Sequence, residues 1–167
     1  MIYHLTCALS VLIVFILQTT VFSQTRLVSG TADIILLFLA AWSLQESVKN
    51  SWFCTFATGL LVSYVSAMPF YAPLIAYLGV VGISKSLQRR VWRSPLLAMI
   101  LVVLLGTFLQ HAIYIVILQI TRAPISWLES LDHVILPSAL LNLIFSIPIY
   151  AVVRDIVKRV SPQEVEV

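Results

Sequence analysis

The sequence predicts an all-α integral membrane protein with six transmembrane helices, and three observations lead to this prediction. Hydrophobic residues make up 60% of the chain, charged residues only 10%, and the mean hydropathy is +1.03. A water-soluble domain of 167 residues has too little interior to bury that much apolar surface. The apolar residues also fall into runs of transmembrane length with short connections. We therefore expect one domain over residues 1–160, followed by a polar tail over residues 161–167.

The first two spans are expected over residues 2–23 and 33–46. The first has no Lys, Arg, Asp or Glu, and its length and lack of N-terminal positive charge indicate an uncleaved helix rather than a signal peptide. Gln18 lies near its end. Because an unpaired amide is costly in lipid, we expect Gln18 to bond another helix rather than a substrate. Asp33 opens the second span. For a carboxylate in a first helical turn, we favour a capping role over that of an intramembrane acid.

Residues 52–84 carry no charge and are too long for a single span. We therefore expect two helices, over residues 51–67 and 70–86, joined by a tight proline-containing turn. Gly59 belongs to a stripe of small residues on the first of these helices. Such stripes let helix backbones approach closely, so Gly59 indicates helix packing.

The fifth span is expected over residues 95–121 and carries Gln110 with His111 beside it. An imidazole at membrane depth can carry a proton. No carboxylate within a span was identified as a partner for His111. We therefore favour a neutral histidine that is hydrogen-bonded to a neighbouring helix.

The last span, residues 133–154, is the most informative stretch of the sequence. Ser138, Asn142 and Ser146 recur every fourth residue and so share one helix face, which gives an otherwise apolar helix a polar seam. That face is expected to pack against protein, with Asn142 as the first choice for an interhelical hydrogen bond. Pro148 is expected to kink the helix.

The positions of the basic residues predict the orientation. With both termini in the cytoplasm, eight basic residues lie inside and only Arg26 and Arg122 lie outside, which agrees with the positive-inside rule. Topology thus explains the net charge of +3, and we expect no nucleic-acid partner. All the inner residues except Lys49 are expected to face anionic lipid or a cytoplasmic partner. They are Lys85, Arg89, Arg90, Arg93, Arg154, Lys158 and Arg159.

The residues give no indication of catalysis. Cys7 and Cys54 lie near predicted cytoplasmic ends, where thiols stay reduced, so we expect neither a disulfide nor a metal site. The sequence contains no Gly-rich phosphate loop and no pair of intramembrane aspartates. We expect no enzyme activity, no metal and no cofactor. Two classes remain open, because polar residues on several spans serve equally well for helix packing or for lining a transporter's cavity.

Several short motifs follow one another along the chain in a characteristic order. The last span carries Leu136-Pro137, Asn142, Pro148-Ile149-Tyr150 and a basic exit at Arg154, and these residues resemble the C-terminal signature of the rod shape-determining protein MreD family. Two further segments continue the resemblance, Gln18-Thr19-Thr20 and the loop from Gly30 through Asp33 to Leu37. The resemblance covers nearly the whole chain. The residues expected to serve helix packing or partner binding are Gln18, Asp33, Gly59, Gln110, Pro137, Asn142, Pro148 and Tyr150.

The resemblance implies a non-catalytic scaffold of the bacterial cell-elongation machinery in the inner membrane. Its implied partners are MreC, RodA with its class B penicillin-binding transpeptidase, cytoplasmic MreB filaments and membrane lipids. The family fold is similar to the six-helix substrate-binding subunits of energy-coupling factor vitamin transporters, which supply the alternative function. Those subunits commonly dock through an Ala-xxx-Ala motif in the first span. Here Ala8 is followed four residues later by Leu12, which favours the scaffold.

Overall fold

The computed structural model describes residues 2–24, 26–48, 51–90, 94–121 and 126–160, and these residues are mostly helical. A two-stranded antiparallel hairpin occupies part of the stretch that the sequence indicates to be a loop, and it pairs Leu27 with Gly30. Two helices include π-helical segments, Gln18–Phe22 after α1 and Leu131–Ile135 between α6 and α7. The elements are α1 Ile2–Leu17, β1 Arg26–Leu27, β2 Gly30–Thr31, α2 Ile34–Leu44, α3 Ser51–Val65, α4 Tyr71–Arg90, α5 Pro95–Ile120, α6 Trp127–Ser130 and α7 Leu136–Val160.

Three helices in the described part of the chain are long and apolar enough to cross a membrane. They are Leu5–Phe22, Pro95–Ile120 and Trp127–Val160, the last a continuous run through α6 and α7. Two further apolar helices, α2 and α3, are shorter. These lengths and compositions indicate a membrane-embedded helical protein.

Helix α2 lies at the centre of the fold, although the sequence draws more attention to the last helix. All eleven residues of α2 are buried. At 1.5 Å per residue the helix is about 16 Å long, roughly half the thickness of a hydrocarbon core. A helix that is apolar on every face is one that other helices surround. The expected span over residues 33–46 is therefore a short helix enclosed by protein.

The helices α2 and α4 run in the same direction, side by side. Asp33, at the start of α2, contacts Tyr77 near the start of α4. Leu44, at the end of α2, accepts a hydrogen bond from Gln88 near the end of α4. Helix α3, which connects them along the chain, must therefore run in the opposite direction.

The sequence places Gly59 in a helix-packing stripe, and the structure puts it where α3 approaches α4. A Cβ atom at Gly59 would lie 2.8 Å from Leu74 Cδ1 and 3.1 Å from Leu74 Cα. The second contact is with backbone, which cannot move aside as a side-chain end can. The absence of a side chain at Gly59 is thus what permits the close packing of the two helices.

Replacing Gly59 by alanine should lower the free energy of unfolding by about 1–3 kcal/mol, because the added methyl group overpacks this contact. Unfolding in detergent, followed by circular dichroism, measures the change. Gly82→Ala is the matched control, since its Cβ would meet Trp52 at an ordinary 3.7 Å. Alanine favours a helix over glycine, so the control should be neutral or slightly stabilised. Equal effects at the two positions would contradict the packing argument.

The prediction about the cysteines is wrong, because the structure joins Cys7 and Cys54 in a disulfide. Helices α1 and α3 pack together at this point and bring the two Cα atoms to 6.6 Å, within the range that disulfides span. The residues are 47 positions apart in the chain, so their proximity is not visible in the sequence. Among the described residues, no group of three His, Cys, Asp or Glu side chains is placed to hold a metal ion.

Candidate functional site

The candidate site is built around Asp33, which precedes the first turn of α2. Its Oδ1 atom accepts a hydrogen bond of 2.8 Å from the Leu36 N–H and so caps the helix, as the sequence predicts. The cap satisfies one of the N–H groups that a helix leaves unpaired at its start. Two amide side chains from other helices bind the backbone around the same turn.

Gln18 is the first of these amides. Its Oε1 atom accepts from the Ile34 N–H at 2.8 Å, and its Nε2 group donates to the Ala32 carbonyl at 3.0 Å. Both bonds join α1's π-helical extension to the start of α2, so the expected bond from Gln18 to another helix is confirmed. The pair of bonds also fixes the orientation of the amide. Exchanging N and O would place the NH₂ group against the Ile34 N–H and the oxygen against the Ala32 carbonyl.

Asn142 is the second amide, and it joins three helices. Its Oδ1 atom accepts from the Asp33 N–H at 2.8 Å, while its Nδ2 group donates to Thr107 Oγ1 at 2.9 Å. One turn earlier on α7, Ser138 Oγ accepts from the Thr31 N–H at 3.1 Å. The polar seam of the last helix is fully buried, including Ser146. The prediction that this seam faces protein, with Asn142 making an interhelical hydrogen bond, is therefore confirmed.

The second carboxyl oxygen of Asp33 connects α2 to α4 and α5. Asp33 Oδ2 accepts from the Tyr77 hydroxyl at 3.0 Å and from Gln110 Nε2 at 2.7 Å. The same Gln110 nitrogen also donates to the Tyr114 hydroxyl at 3.3 Å. Asp33 is thus both the cap that we favoured and the acid inside the helical assembly that we ranked second.

Tyr77 and Tyr114 are site residues that sequence reasoning missed. Tyr77 is buried and lies in a stretch without charges, while Tyr114 lies one turn from Gln110 on α5. The only available signal was a ring that carries a hydroxyl within an otherwise apolar helix. That signal is weak because it does not show which acid the hydroxyl will meet.

A cavity of about 380 Å³ adjoins this cluster. Its size lies within the range of small-molecule sites, and both π-helical segments contribute to its wall. Polar and apolar side chains share the lining. The cavity is lined by Gln18, Thr31, Asp33, Met68, Tyr77, Gln110, His111, Tyr114, Ile115, Leu118, Ser130, Val134 and Ile135.

His111 lines the cavity but does not bond a neighbouring helix, contrary to expectation. Its Nδ1 atom lies 2.9 Å from the Thr107 carbonyl oxygen of its own helix. The i to i−4 spacing places that carbonyl beneath the ring, so the bond forms locally. A carbonyl can only accept, so Nδ1 carries the proton in this contact.

Gln110 has one buried acceptor without a hydrogen-bond partner in the described structure. The side chain is 4% exposed, and its Oε1 atom has no hydrogen-bond partner among the described residues. Because Asp33 requires the NH₂ group on its side, the amide cannot turn to hide this oxygen. Buried acceptors without partners are rare in folded proteins, so this atom marks a place where a donor is expected.

Lys85 has an internal contact that the sequence did not predict. Its Nζ atom donates to the Val48 carbonyl at 3.0 Å and to Gln88 Oε1 at 3.2 Å, while Gln88 Nε2 reaches the Leu44 carbonyl at 3.2 Å. These bonds bring a cation and an amide to the C-terminal end of α2, where the helix dipole favours positive charge. Both ends of α2 are therefore held by side chains from other helices.

The remaining predicted residues lie outside the Asp33 cluster. Pro137 and Tyr150 are buried, whereas Pro148 lies on the exposed face of α7. Arg154 is exposed and pairs with Asp155 at 3.5 Å, a contact of little energetic weight. Lys158 and Arg159 are also exposed. The side chains of Arg89 and Arg90, and the whole of Arg93 and residues 161–167, lie outside the described part of the structure.

The site therefore combines a carboxylate at the start of one short helix with two tyrosine hydroxyls, three amides and a histidine from the four helices around it. Most of these groups form hydrogen bonds with one another. Compared with protein-family models, curated proteins and solved structures, the chain matches none of them.

Proposed function

We propose that this chain is a non-catalytic, six-span scaffold of the bacterial cell-elongation machinery. It resides in the inner membrane with both termini in the cytoplasm, binds MreC, and supports peptidoglycan synthesis by RodA and its class B penicillin-binding transpeptidase. MreB filaments belong to the same assembly. In this role the protein supplies a membrane surface for partner helices and performs no chemistry.

The observation that carries this proposal is the division between a polar interior and apolar outer faces. The amides of α1, α5 and α7 are used within the fold, so little polar surface is left on the outside of these helices. Helix α7 presents an exposed apolar stripe at Leu136, Leu140, Ile144 and Ile147. Helix α1 presents a second such stripe at Leu5, Leu9, Leu12, Ile13 and Ile16. Apolar faces of this length suit the van der Waals packing by which transmembrane helices associate.

The two apolar stripes belong to neighbouring helices. The Phe22 ring, after α1, packs edge to face against Phe145 of α7 with ring centroids 5.1 Å apart. A partner helix that lies along this side can therefore contact both α1 and α7. We place the transmembrane helix of MreC there.

The directions of the helices support a chain that crosses the membrane six times. Helices α2 and α4 are parallel, and α7 follows the same direction because Thr31 meets Ser138 and Asp33 meets Asn142. Lys85 and the basic end of α7 then lie at the end of the assembly away from the Asp33 cap. One basic end is what the positive-inside rule requires of a cytoplasmic face.

Affinity purification of the tagged protein from its native membrane, in mild detergent and with mass spectrometry, tests the proposal. Recovery of MreC, RodA and the transpeptidase is expected. A photocrosslinking residue at Ile144 should capture MreC, whereas the same residue at Tyr64, which is 92% exposed on α3, should not. Equal capture from the two positions would contradict the proposed surface.

A second candidate function is supported by the cavity next to Asp33. A substrate-binding subunit of an energy-coupling factor transporter needs a cavity for its vitamin. The same purification distinguishes the candidates, because that subunit should bring down a transporter's membrane subunit and paired ATPases. Their recovery in place of MreC would overturn the scaffold.

A further inference from the structure

We propose that the cavity beside Asp33 binds a primary ammonium group attached to an apolar body. This inference goes beyond the scaffold function and does not depend on which partner complex the protein joins. It rests on the acceptors, the charge and the wall of the cavity.

The first step concerns hydrogen-bond acceptors. Gln110 Oε1 is buried without a partner among the described residues, and its orientation is fixed by the bond from Nε2 to Asp33. The His111 Nδ1 atom bonds the Thr107 carbonyl, and a ring with its single proton on that nitrogen has Nε2 as an acceptor. Gln110 and His111 line the cavity together with Asp33. A ligand that bonds Asp33 and His111 from the cavity must bring donors, and an ammonium group has three.

The second step concerns charge. All three hydrogen bonds to Asp33 use its oxygens as acceptors, from Leu36, Tyr77 and Gln110. No salt bridge joins Asp33 to a described Lys, Arg or His side chain. A cationic ligand would supply the missing counter-charge in a setting where unpaired charge is costly.

The third step concerns the wall of the cavity. Tyr77 and Tyr114 contribute aromatic rings next to the carboxylate, and aromatic faces attract cations. The rest of the lining is largely aliphatic, with Met68, Ile115 and Leu118 among its residues. A polar end beside an apolar wall fits an amphipathic amine better than a hydrated inorganic ion.

A primary ammonium group on an apolar body has two sources in a bacterial membrane, a free amine and the headgroup of phosphatidylethanolamine. Both present the same chemistry to Asp33, Gln110 and His111. They differ in whether the occupant is dissolved in water or belongs to the bilayer.

Isothermal titration of the purified full-length protein in phosphatidylcholine nanodiscs tests the inference. The probes are 2-phenylethylamine and 4-phenylbutylamine, each compared with the alcohol and the carboxylate of equal length. At least one amine is expected to bind about tenfold or more tightly than its alcohol, since the ammonium group offers three donors and a positive charge where the alcohol offers one donor and no charge. No binding by either amine, or equal binding of amine and alcohol, would overturn the proposal.

Substitutions at Gln110 and His111 test whether amine binding depends on these residues. His111→Leu should weaken the amine about tenfold because it removes an acceptor, and Gln110→Leu should weaken it because it removes the amide that positions the Asp33 carboxyl group. His111 bonds only its own helix in the described structure, so its variant should fold even if the Gln110 variant does not. Gln119→Leu, an amide change at an exposed position of the same helix, should leave the affinity unchanged. Unchanged affinity in a folded His111→Leu protein would remove His111 from the site and contradict the acceptor argument.

A comparison of two lipid compositions identifies the source of the ammonium group. If the headgroup is the natural occupant, nanodiscs with phosphatidylethanolamine should raise the melting temperature of the protein and reduce the apparent affinity for the amine. If the occupant is a free amine, the two lipid compositions should give equal affinity.

Discussion

Replacing Asn142 by leucine should lower the free energy of unfolding by about 2–4 kcal/mol, one of the largest effects of a single substitution in this protein. The change removes the acceptor of the Asp33 N–H and the donor to Thr107 Oγ1 together. Both partners remain buried, so each would bear the cost of an unsatisfied polar group. Denaturant unfolding in detergent, monitored by circular dichroism, measures the loss.

Membrane insertion should survive this change, because leucine makes α7 more apolar. Gln119→Leu is the matched control and should change stability by less than about 0.5 kcal/mol, as exposed substitutions generally do. If Asn142→Leu proves as neutral as the control, its hydrogen bonds do not hold α2, α5 and α7 together. Under the proposed scaffold function, a destabilising Asn142→Leu should also lower the co-purification of MreC, because the proposed partner surface includes α7.

Replacing Asp33 by alanine is expected to cost about 3–5 kcal/mol, because it removes a helix cap and leaves two buried donors without an acceptor. The donors are the Tyr77 hydroxyl and the Gln110 amide, which approach from α4 and α5. Thermal unfolding in detergent should show the loss as a lower melting temperature.

Asp33→Asn separates the two roles of this residue. The asparagine keeps an oxygen for the Leu36 N–H and caps helices as well as aspartate does, but its Nδ2 group replaces the oxygen that accepts from Tyr77 and Gln110. The loss of stability should therefore be smaller than that of Asp33→Ala by about the 0.5–2 kcal/mol of a helix cap. The negative charge is lost, so amine binding should weaken even in the folded protein. A loss of stability equal to that of Asp33→Ala would show that the second carboxyl oxygen, rather than the cap, holds the start of α2.

The two substitutions act on the same turn, so their effects should not add. Asn142 accepts a hydrogen bond from the Asp33 N–H, and the Asp33 side chain caps α2. Residues in one hydrogen-bond network commonly show interaction energies of about 0.5–3 kcal/mol in double-mutant cycles. The double variant Asp33→Ala, Asn142→Leu is therefore expected to lose less stability than the sum of the single losses.

Residues close together in the chain determined the helical class of this protein, its membrane character and some of its polar contacts. The charge-free runs specified helices and their membrane character, since a run of about twenty apolar residues suits a bilayer and little else. Fourfold spacing identified the buried seam of the last helix, and position alone identified Asp33 as a cap. These features depend on residues near one another in the chain, which is why the sequence displays them.

The tertiary structure decided which helix is central and what the polar groups contact. No local pattern ranks the short α2 above the long last helix, because the burial of α2 depends on where the other helices pack. Tyr77 and Gln110 reach Asp33 from 44 and 77 residues away, and Lys85 reaches Val48 from 37 residues away. Such pairings depend on helix directions and crossing positions, which no local pattern encodes. The cavity arises in the same way, from the spacing of helices that meet only in the folded chain.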